Sequence, residues 1–355
     1  MPCARACLGT CTSRQAGPAS SRKEAIAAMA NLPLLATAST VVLYYTAYST
    51  AVLLALNVVL YMLALAKVPK TAFAARCLAA YFCLVACALY GVVASVALRL
   101  VGREQIAQWT VARAFKHSMR SATGVTFDVQ DPAGHLSRTR PAVFVGNHQT
   151  ELDVLVLGCM FPKYCSVTAK SSLRHVPVLG WFMSLSGTVF IDRKNTKDAR
   201  QAMAGAADTM QTRRQSVFMF PEGTRSYSKE PVLLPFKKGA FHLAVQAKVP
   251  IVPIVVANYS HILWVKGMVF RPGTVPVKVL EPIETKDLAA ADVDELTNKV
   301  RELMLRELVA LSAEARGGAV QVPVELLKNG AAKASGIEAK ASPSARNSSA
   351  VTAEL

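Results

Sequence analysis

Acidic side chains are scarce in this 355-residue chain: 23 Asp and Glu stand against 40 Lys and Arg, a formal net charge of +17. That imbalance points to an anionic partner, whether nucleic acid, a phospholipid headgroup or a phosphorylated substrate. Charged residues make up only 18% of the chain and hydrophobic ones 52%, which excludes a chain disordered throughout and leans toward a membrane protein. Cysteine is absent beyond Cys165, and none of the eight forms a C-x-x-C pair, so neither a disulfide framework across the chain nor a zinc ribbon is indicated. We read the cysteines as mostly free thiols; Cys3, Cys7 and Cys11, four apart, read as incidental. H-E-x-x-H is missing, which argues against a zinc hydrolase. G-x-S-x-G is missing, which argues against a lipase-type acyl-enzyme. Without a Walker loop or G-x-G-x-x-G, ATP and dinucleotides are not indicated. No nucleic-acid-binding motif or aromatic platform accompanies the basic excess, and no internal repeat is present.

Charge is also missing locally. Leu32 to Ala66 and Cys77 to Leu98 contain no charged residue, runs of about 35 and about 22 residues set against the roughly 20 needed for one membrane crossing. The longer run must tilt, break or continue past the membrane, with Asn57 and Thr46 to Thr50 as candidate interruptions. Basic residues flank both runs, so the positive-inside rule gives no orientation, and a re-entrant hairpin fits as well as two crossings. Residues 1–31 read as a flexible extension, weakly like a targeting segment, and 316–355, rich in Ala, Ser, Gly and Lys, as a disordered tail.

From Val101 the pattern becomes that of a soluble domain. Arg103 to Arg120 reads as an amphipathic helix. Strands are expected at Ala142–Val145, Thr188–Ile191, Ser216–Phe220, Ile251–Val256 and Val275–Val279. Helices are expected at Val154–Met160, at Asn195–Gln211 with Thr196 as cap, at Gly239–Gln246, and in a last amphipathic stretch carrying Val293, Leu296, Val300, Leu303, Met304 and Leu308. Alternating strands and helices give an α/β fold with a central sheet flanked by helices.

Polar residues gather where three of these strands end. Gly146-Asn147-His148-Gln149-Thr150-Glu151-Leu152-Asp153 places His148 on a turn and Asp153 in the first turn of a helix capped by Thr150. There the carboxylate can fix the imidazole tautomer and leave the other ring nitrogen as a general base. Asp153 three residues after Thr150 also suits a simple capping box. Pro221-Glu222-Gly223-Thr224-Arg225-Ser226 offers a glycine for close backbone approach, a hydroxyl in Thr224, a guanidinium fork in Arg225 for phosphate oxygens, and Glu222 for a basic group or a substrate hydroxyl. Arg193, in Phe190-Ile191-Asp192-Arg193-Lys194, repeats the pattern as a phosphate clamp or a solvated edge. Ligands of open α/β sheets bind outside the carboxyl ends of the strands. His175 and His242 read as structural, and Asn258-Tyr259-Ser260 and Asn347-Ser348-Ser349 match the glycosylation triplet.

These segments resemble the membrane-bound glycerolipid acyltransferases, and most closely the 1-acylglycerol-3-phosphate acyltransferases. Asn147, His148 and Asp153 match N-H-x-x-x-x-D, Val189 to Arg193 match V-F-I-D-R, Phe220 to Arg225 match F-P-E-G-T-R, and Val249 to Pro253 match V-P-I-V-P, with Leu234 to Ala244 between the last two. The resemblance covers about Val101 to Leu311, and Thr188 replaces an aliphatic residue common in the family. It implies an acyltransferase domain over 101–315 behind a membrane hairpin over 32–100. The implied reaction moves an acyl group from acyl-CoA, a co-substrate, to the sn-2 hydroxyl of lysophosphatidic acid at a phospholipid bilayer, with no metal, bound cofactor or nucleic acid. His148 and Asp153 would be catalytic, and Lys170, Arg193, Glu222, Gly223, Thr224 and Arg225 would bind substrate. Glycerol 3-phosphate or another lysophospholipid as acceptor, and a lipid-binding protein without catalysis, are the alternatives. The endoplasmic reticulum is the expected membrane.

Overall fold

The computed structural model describes residues 18–68, 70–192 and 195–317. Helix α1 (Pro18–Leu65) starts within the extension expected over 1–31 and runs 48 residues. The interruption expected at Thr46 to Thr50 does not occur, because the Thr46 and Thr50 hydroxyls donate to the carbonyls of Leu43 (2.9 Å) and Thr46 (2.7 Å). Both are satisfied by their own helix. Asn57 likewise lies inside the continuous helix. Helix α2 is Thr71–Leu100. Leu43–Leu65 and Thr71–Leu100 are each long and apolar enough to cross a membrane.

The chain divides into two compact units, 1–62 and 63–355, so the division falls inside the segment 32–100 and α2 belongs to the larger unit. The rest of that unit comprises α3 (Ala107–Thr123), β1 (Val125–Gln130), α4 (His135–Arg138), β2 (Val143–Gly146), α5 (Asp153–Met160), β3 (Cys165–Lys170), α6 (Leu179–Leu185), β4 (Val189–Ile191), α7 (Thr196–Arg213), β5 (Ser216–Met219), α8 (Gly239–Ala247), β6 (Ile251–Val256), the short β7 (Leu263–Trp264) and β8 (Val269–Phe270), β9 (Gly273–Val279) and α9 (Val293–Arg316). Small residues of α2, among them Ala75, Ala79, Ala88 and Ala94, are buried, and α2 packs on α3 and α6. The fit is close at Gly91, where a Cβ would lie 2.5 Å from the Phe182 ring of α6.

The sheet has seven strands in the order β1-β9-β6-β2-β5-β3-β4. Strands β6, β2, β5, β3 and β4 are mutually parallel, while β9 runs antiparallel to β6 and parallel to β1. All of β2, β5 and β6 is buried, as the continuous apolar runs of a central parallel block require. Helices α3 and α5 pack together, and α7, α8 and α9 form a second row against the sheet. On α9, Val293, Leu296, Val300, Met304 and Leu308 are buried at the expected helical spacing, whereas Leu303 is only partly covered. The cap of α7 is Asn195, not Thr196: its side chain accepts from the backbone N–H groups of Lys197 (3.0 Å) and Asp198 (3.4 Å), which makes Thr196 the first helical residue. Cys77, Cys83, Cys87, Cys159 and Cys165 are free thiols. His175 and His242 are exposed, so neither serves the core.

Candidate active site

The parallel block sends the chain out at one edge after β2, β3, β4, β5 and β6, and the polar residues that follow β2, β5 and β6 meet there. Asn147 continues β2 in side-chain form: its Nδ2 donates to the Val256 carbonyl at 3.0 Å and its Oδ1 accepts from the Val256 N–H at 2.8 Å. Gln149 Nε2 reaches the carbonyls of Val256 and Ala257, both at 3.0 Å. The turn carrying His148 is thereby fastened to the end of β6.

His148 Nδ1 lies 2.7 Å from Asp153 Oδ2. The same oxygen accepts from the N–H groups of Gln149 (2.6 Å) and Thr150 (3.2 Å), and Oδ1 accepts from the Tyr259 hydroxyl at 2.7 Å. Asp153 is 1% exposed, so these donors replace the water a buried carboxylate has lost. With Nδ1 directed at the carboxylate, Nε2 is the nitrogen left for chemistry. The imidazole stacks on Phe220, ring centroids 4.2 Å apart and planes 17° from parallel, which fixes its plane as well as its tautomer. Helix α5 begins at Asp153 itself, with Leu152 at the cap position, later than expected, but the Thr150 hydroxyl still accepts from the Leu152 N–H at 3.2 Å while Asp153 Oδ2 accepts from the Thr150 N–H. The Thr150 N–H (3.1 Å) and hydroxyl (3.0 Å) also meet the Tyr259 oxygen.

Glu222 departs from its expected role. It is 3% exposed, and its oxygens accept from the N–H groups of His148 (2.7 Å) and Leu234 (3.0 Å). It braces the turn of His148 and is not offered to a ligand. Burial pushes its carboxyl up to about 7, against the two N–H bonds, which favour the ionised form. Arg301 holds the neighbouring strap by donating to the carbonyls of Leu233 (2.7 Å) and Leu234 (3.3 Å). Gly223 has φ +70°, the conformation that calls for glycine, and a Cβ there would also press on the Lys237 side chain at 3.0 Å.

Thr224 is exposed beside it, and Arg225 is partly buried. The strands past β2 and β5 stay in register, Ser226 N–H donating to the His148 carbonyl (3.0 Å) and Tyr227 N–H to that of Gln149 (3.1 Å). This brings Arg225 to the turn of His148. Burial works against the Arg225 guanidinium, but its bond to Tyr227 and the charge of Glu151 outweigh burial and raise its pKa. Lys170 is exposed at the end of β3, separated from β2 by β5. Arg193 lies outside the described residues. Among the described residues no group of three or more His, Cys, Asp or Glu is placed to hold a metal ion.

A family model described as Acyltransferase matches residues 126–257, which takes in both turns. The 1-acyl-sn-glycerol-3-phosphate acyltransferase of Saccharomyces cerevisiae is 44% identical over 225 residues, 63% of this chain and 74% of that protein. The chain belongs to the 1-acyl-sn-glycerol-3-phosphate acyltransferase family. The human protein of that name, beta form, is 36% identical over 259 residues, covering 73% of this chain and 88% of its own. The crystal structure of the lysophosphatidate acyltransferase PlsC from Thermotoga maritima aligns with a TM-score of 0.48 and 26% identity over 58% of this chain and 82% of that one.

In this member of the family, Tyr259 is the site residue that the sequence pattern did not single out, although it appears there inside the Asn258-Tyr259-Ser260 triplet. The sequence shows only an aromatic residue three positions past the apolar run of β6, and nothing in that spacing marks its hydroxyl as a partner of Asp153. Asn258 of that triplet is 3% exposed, and its Nδ2 donates to the carbonyls of Ser228 (3.1 Å) and Glu230 (3.2 Å).

Proposed function

We propose that this protein transfers a fatty acyl group from acyl-CoA to the sn-2 hydroxyl of 1-acyl-sn-glycerol 3-phosphate, forming phosphatidic acid at a membrane surface. The observation that carries this reading is the imidazole of His148, held in plane and tautomer by Phe220 and Asp153 with Nε2 free. Nε2 takes the proton of the sn-2 hydroxyl as its oxygen attacks the thioester carbonyl. The C–O bond forms, the C–S bond breaks, and CoA leaves as thiolate, which recovers the proton from the imidazolium. Asp153 stabilises that imidazolium while it lasts. The thioester is already activated, so the residues supply base and position and call for no metal or bound cofactor.

Arg225 holds the acceptor phosphate, Lys170 at the end of β3 and Arg193 are further candidate cations for it, and the turn Glu222-Gly223-Thr224 forms the floor. The two apolar helices support residence in a bilayer, into which both substrates partition. The membrane is that of the endoplasmic reticulum, which a fluorescent fusion checks. The deciding assay incubates the full-length protein in membranes with acyl-CoA and, in turn, lysophosphatidate, other lysophospholipids and glycerol 3-phosphate. The reading requires phosphatidate from lysophosphatidate and its loss in His148→Ala. Phosphatidate formed at the wild-type rate by that variant refutes it.

A further inference from the structure

The proposed reaction leaves one cation beside the site without a task. Lys237 lies at the end of the strap that Arg301 holds, and its backbone N–H donates to the Pro221 carbonyl at 2.8 Å. That bond ties the residue to the turn Pro221-Glu222-Gly223-Thr224-Arg225 whatever rotamer its side chain takes. The side chain then crosses the turn: a Cβ built on Gly223 would lie 3.0 Å from its Cδ and Cε and 3.1 Å from its Nζ. Gly223 is buried and Lys237 exposed, so the ammonium sits on the solvent side of the turn, in space that a Cβ would press into.

The adjacent lysine behaves differently. Lys238 Nζ pairs with Asp294 of α9 at 2.7 Å. Lys237 makes no ion pair among the described residues. Glu222, next to Gly223 in the turn, does not claim it, because the two Glu222 oxygens accept from the N–H groups of His148 and Leu234. A positive charge is thus held over the floor of the site with no anion of the protein to balance it.

Charge balance gives that cation a use. A phosphomonoester carries about −1.5 to −2, whereas Arg225 already faces the Glu151 carboxylate at 3.2 Å. That pair is close to neutral as a whole, so a phosphate drawn to it needs a second positive charge. We infer that Lys237 is a phosphate-binding residue of the site, its ammonium acting with the Arg225 guanidinium on one phosphate group, that of the acceptor or one of those on CoA. The inference rests on the reading of this turn as the floor of the substrate site. The two cations divide the work by their chemistry: Arg225 supplies a planar fork, and Lys237 a compact charge on a flexible stem that follows the phosphate as it enters.

The test uses full-length protein in phosphatidylcholine vesicles, with acyl-CoA and 1-acyl-sn-glycerol 3-phosphate varied in turn. Lys237→Met keeps an unbranched stem across Gly223 and removes the charge. It should raise the KM of one substrate about tenfold, the low end of what a hydrogen bond to a charged group contributes, with little change in kcat. A rise for 1-acyl-sn-glycerol 3-phosphate puts Lys237 on the acceptor phosphate, and a rise for acyl-CoA puts it on the donor. Lys237→Arg, which keeps the charge, should recover most of the loss. Wild-type KM values for both substrates in folded Lys237→Met overturn the proposal. So does an equal rise in the two variants, since the charge would then be irrelevant. Lys237→Gln serves if the methionine variant does not fold. Protection from thermal unfolding by 1-acyl-sn-glycerol 3-phosphate and by CoA is compared between wild type and Lys237→Met and needs no turnover. A wild-type protein that forms no phosphatidate refutes the acyl-transfer reading, and Lys237 is then decided by protection alone: loss in the variant upholds its role, and equal protection overturns it.

Discussion

The hydroxyl of Tyr259 lies 2.7 Å from Oδ1 of Asp153, on the opposite side of the carboxylate from His148 Nδ1, which is 2.7 Å from Oδ2. The Tyr259 bond is buried and the His148 bond partly so, and burial and then the Asp153 charge push the Tyr259 phenol well up, so it stays a donor. Tyr259→Phe keeps the ring, with its edge-on contact to Phe127, and deletes one donor to a buried charge. It should cost about 1–3 kcal/mol of stability, read from denaturant unfolding, and lower kcat more than it raises either KM.

His148→Ala should abolish most turnover while the protein stays folded and in the membrane, a loss of at least about 10² to 10⁴ in kcat. Asp153→Asn should lose a comparable amount, because an amide neither fixes the tautomer nor stabilises imidazolium. Normal turnover per folded molecule in Asp153→Asn would reduce Asp153 to a helix-start residue.

Glu222 gives a pH signature. Its folded pKa of about 7 exceeds its ordinary value of 4.5. Between these values the folded state binds more protons than the unfolded one, so its contribution to stability is full below about 4.5 and is lost as pH rises through 7. Melting temperature followed across that range should show a falling component that is absent in Glu222→Gln. Below about pH 4.5, where that contribution is full, the glutamine variant should be the less stable of the two, since an amide presents a donor to one of the two backbone N–H groups that Glu222 accepts.

Arg225→Lys keeps the charge but loses the fork. It should raise the lysophosphatidate KM by about tenfold with a smaller change for acyl-CoA, and lower kcat somewhat through a misplaced sn-2 hydroxyl. Kinetics with both substrates varied would check this. A rise confined to the acyl-CoA KM would move Arg225 to the donor.

Gly91→Val would drive a side chain into the Phe182 ring. It should loosen α6 from α2 and lower the melting temperature, because a helix backbone and an aromatic ring have little room to yield. Proteolysis within 171–185 would report it.

The central strands were legible because a buried parallel strand is nearly all apolar: Ala142–Val145, Ser216–Phe220 and Ile251–Val256 each appear within a residue or two of their expected bounds. Strands β1 and β3 were not expected, since Asp128 and Gln130 in one and Ser166, Thr168 and Lys170 in the other break the apolar run. In the site, the His148–Asp153 pair is local and could be read from spacing. Contacts to Glu222 and Tyr259 depend on which strands become neighbours, and sequence spacing carries no such information. Glu222 looked like a substrate ligand because a carboxylate beside a glycine turn suggests exposure. Its pairing with backbone N–H groups of two other segments becomes visible only once β2 and β5 lie side by side.

The burial of Asn258 bears on how the chain's sidedness across a membrane can be measured. Addition of a sugar requires an accessible asparagine amide, whereas here that nitrogen is spent on two carbonyls beneath the surface. A sugar on Asn258 would therefore have to be added before the unit folds and would then displace these bonds, so its absence alone cannot report which compartment the catalytic unit faces. Reporter acceptor sites placed on exposed loops would be needed for that measurement.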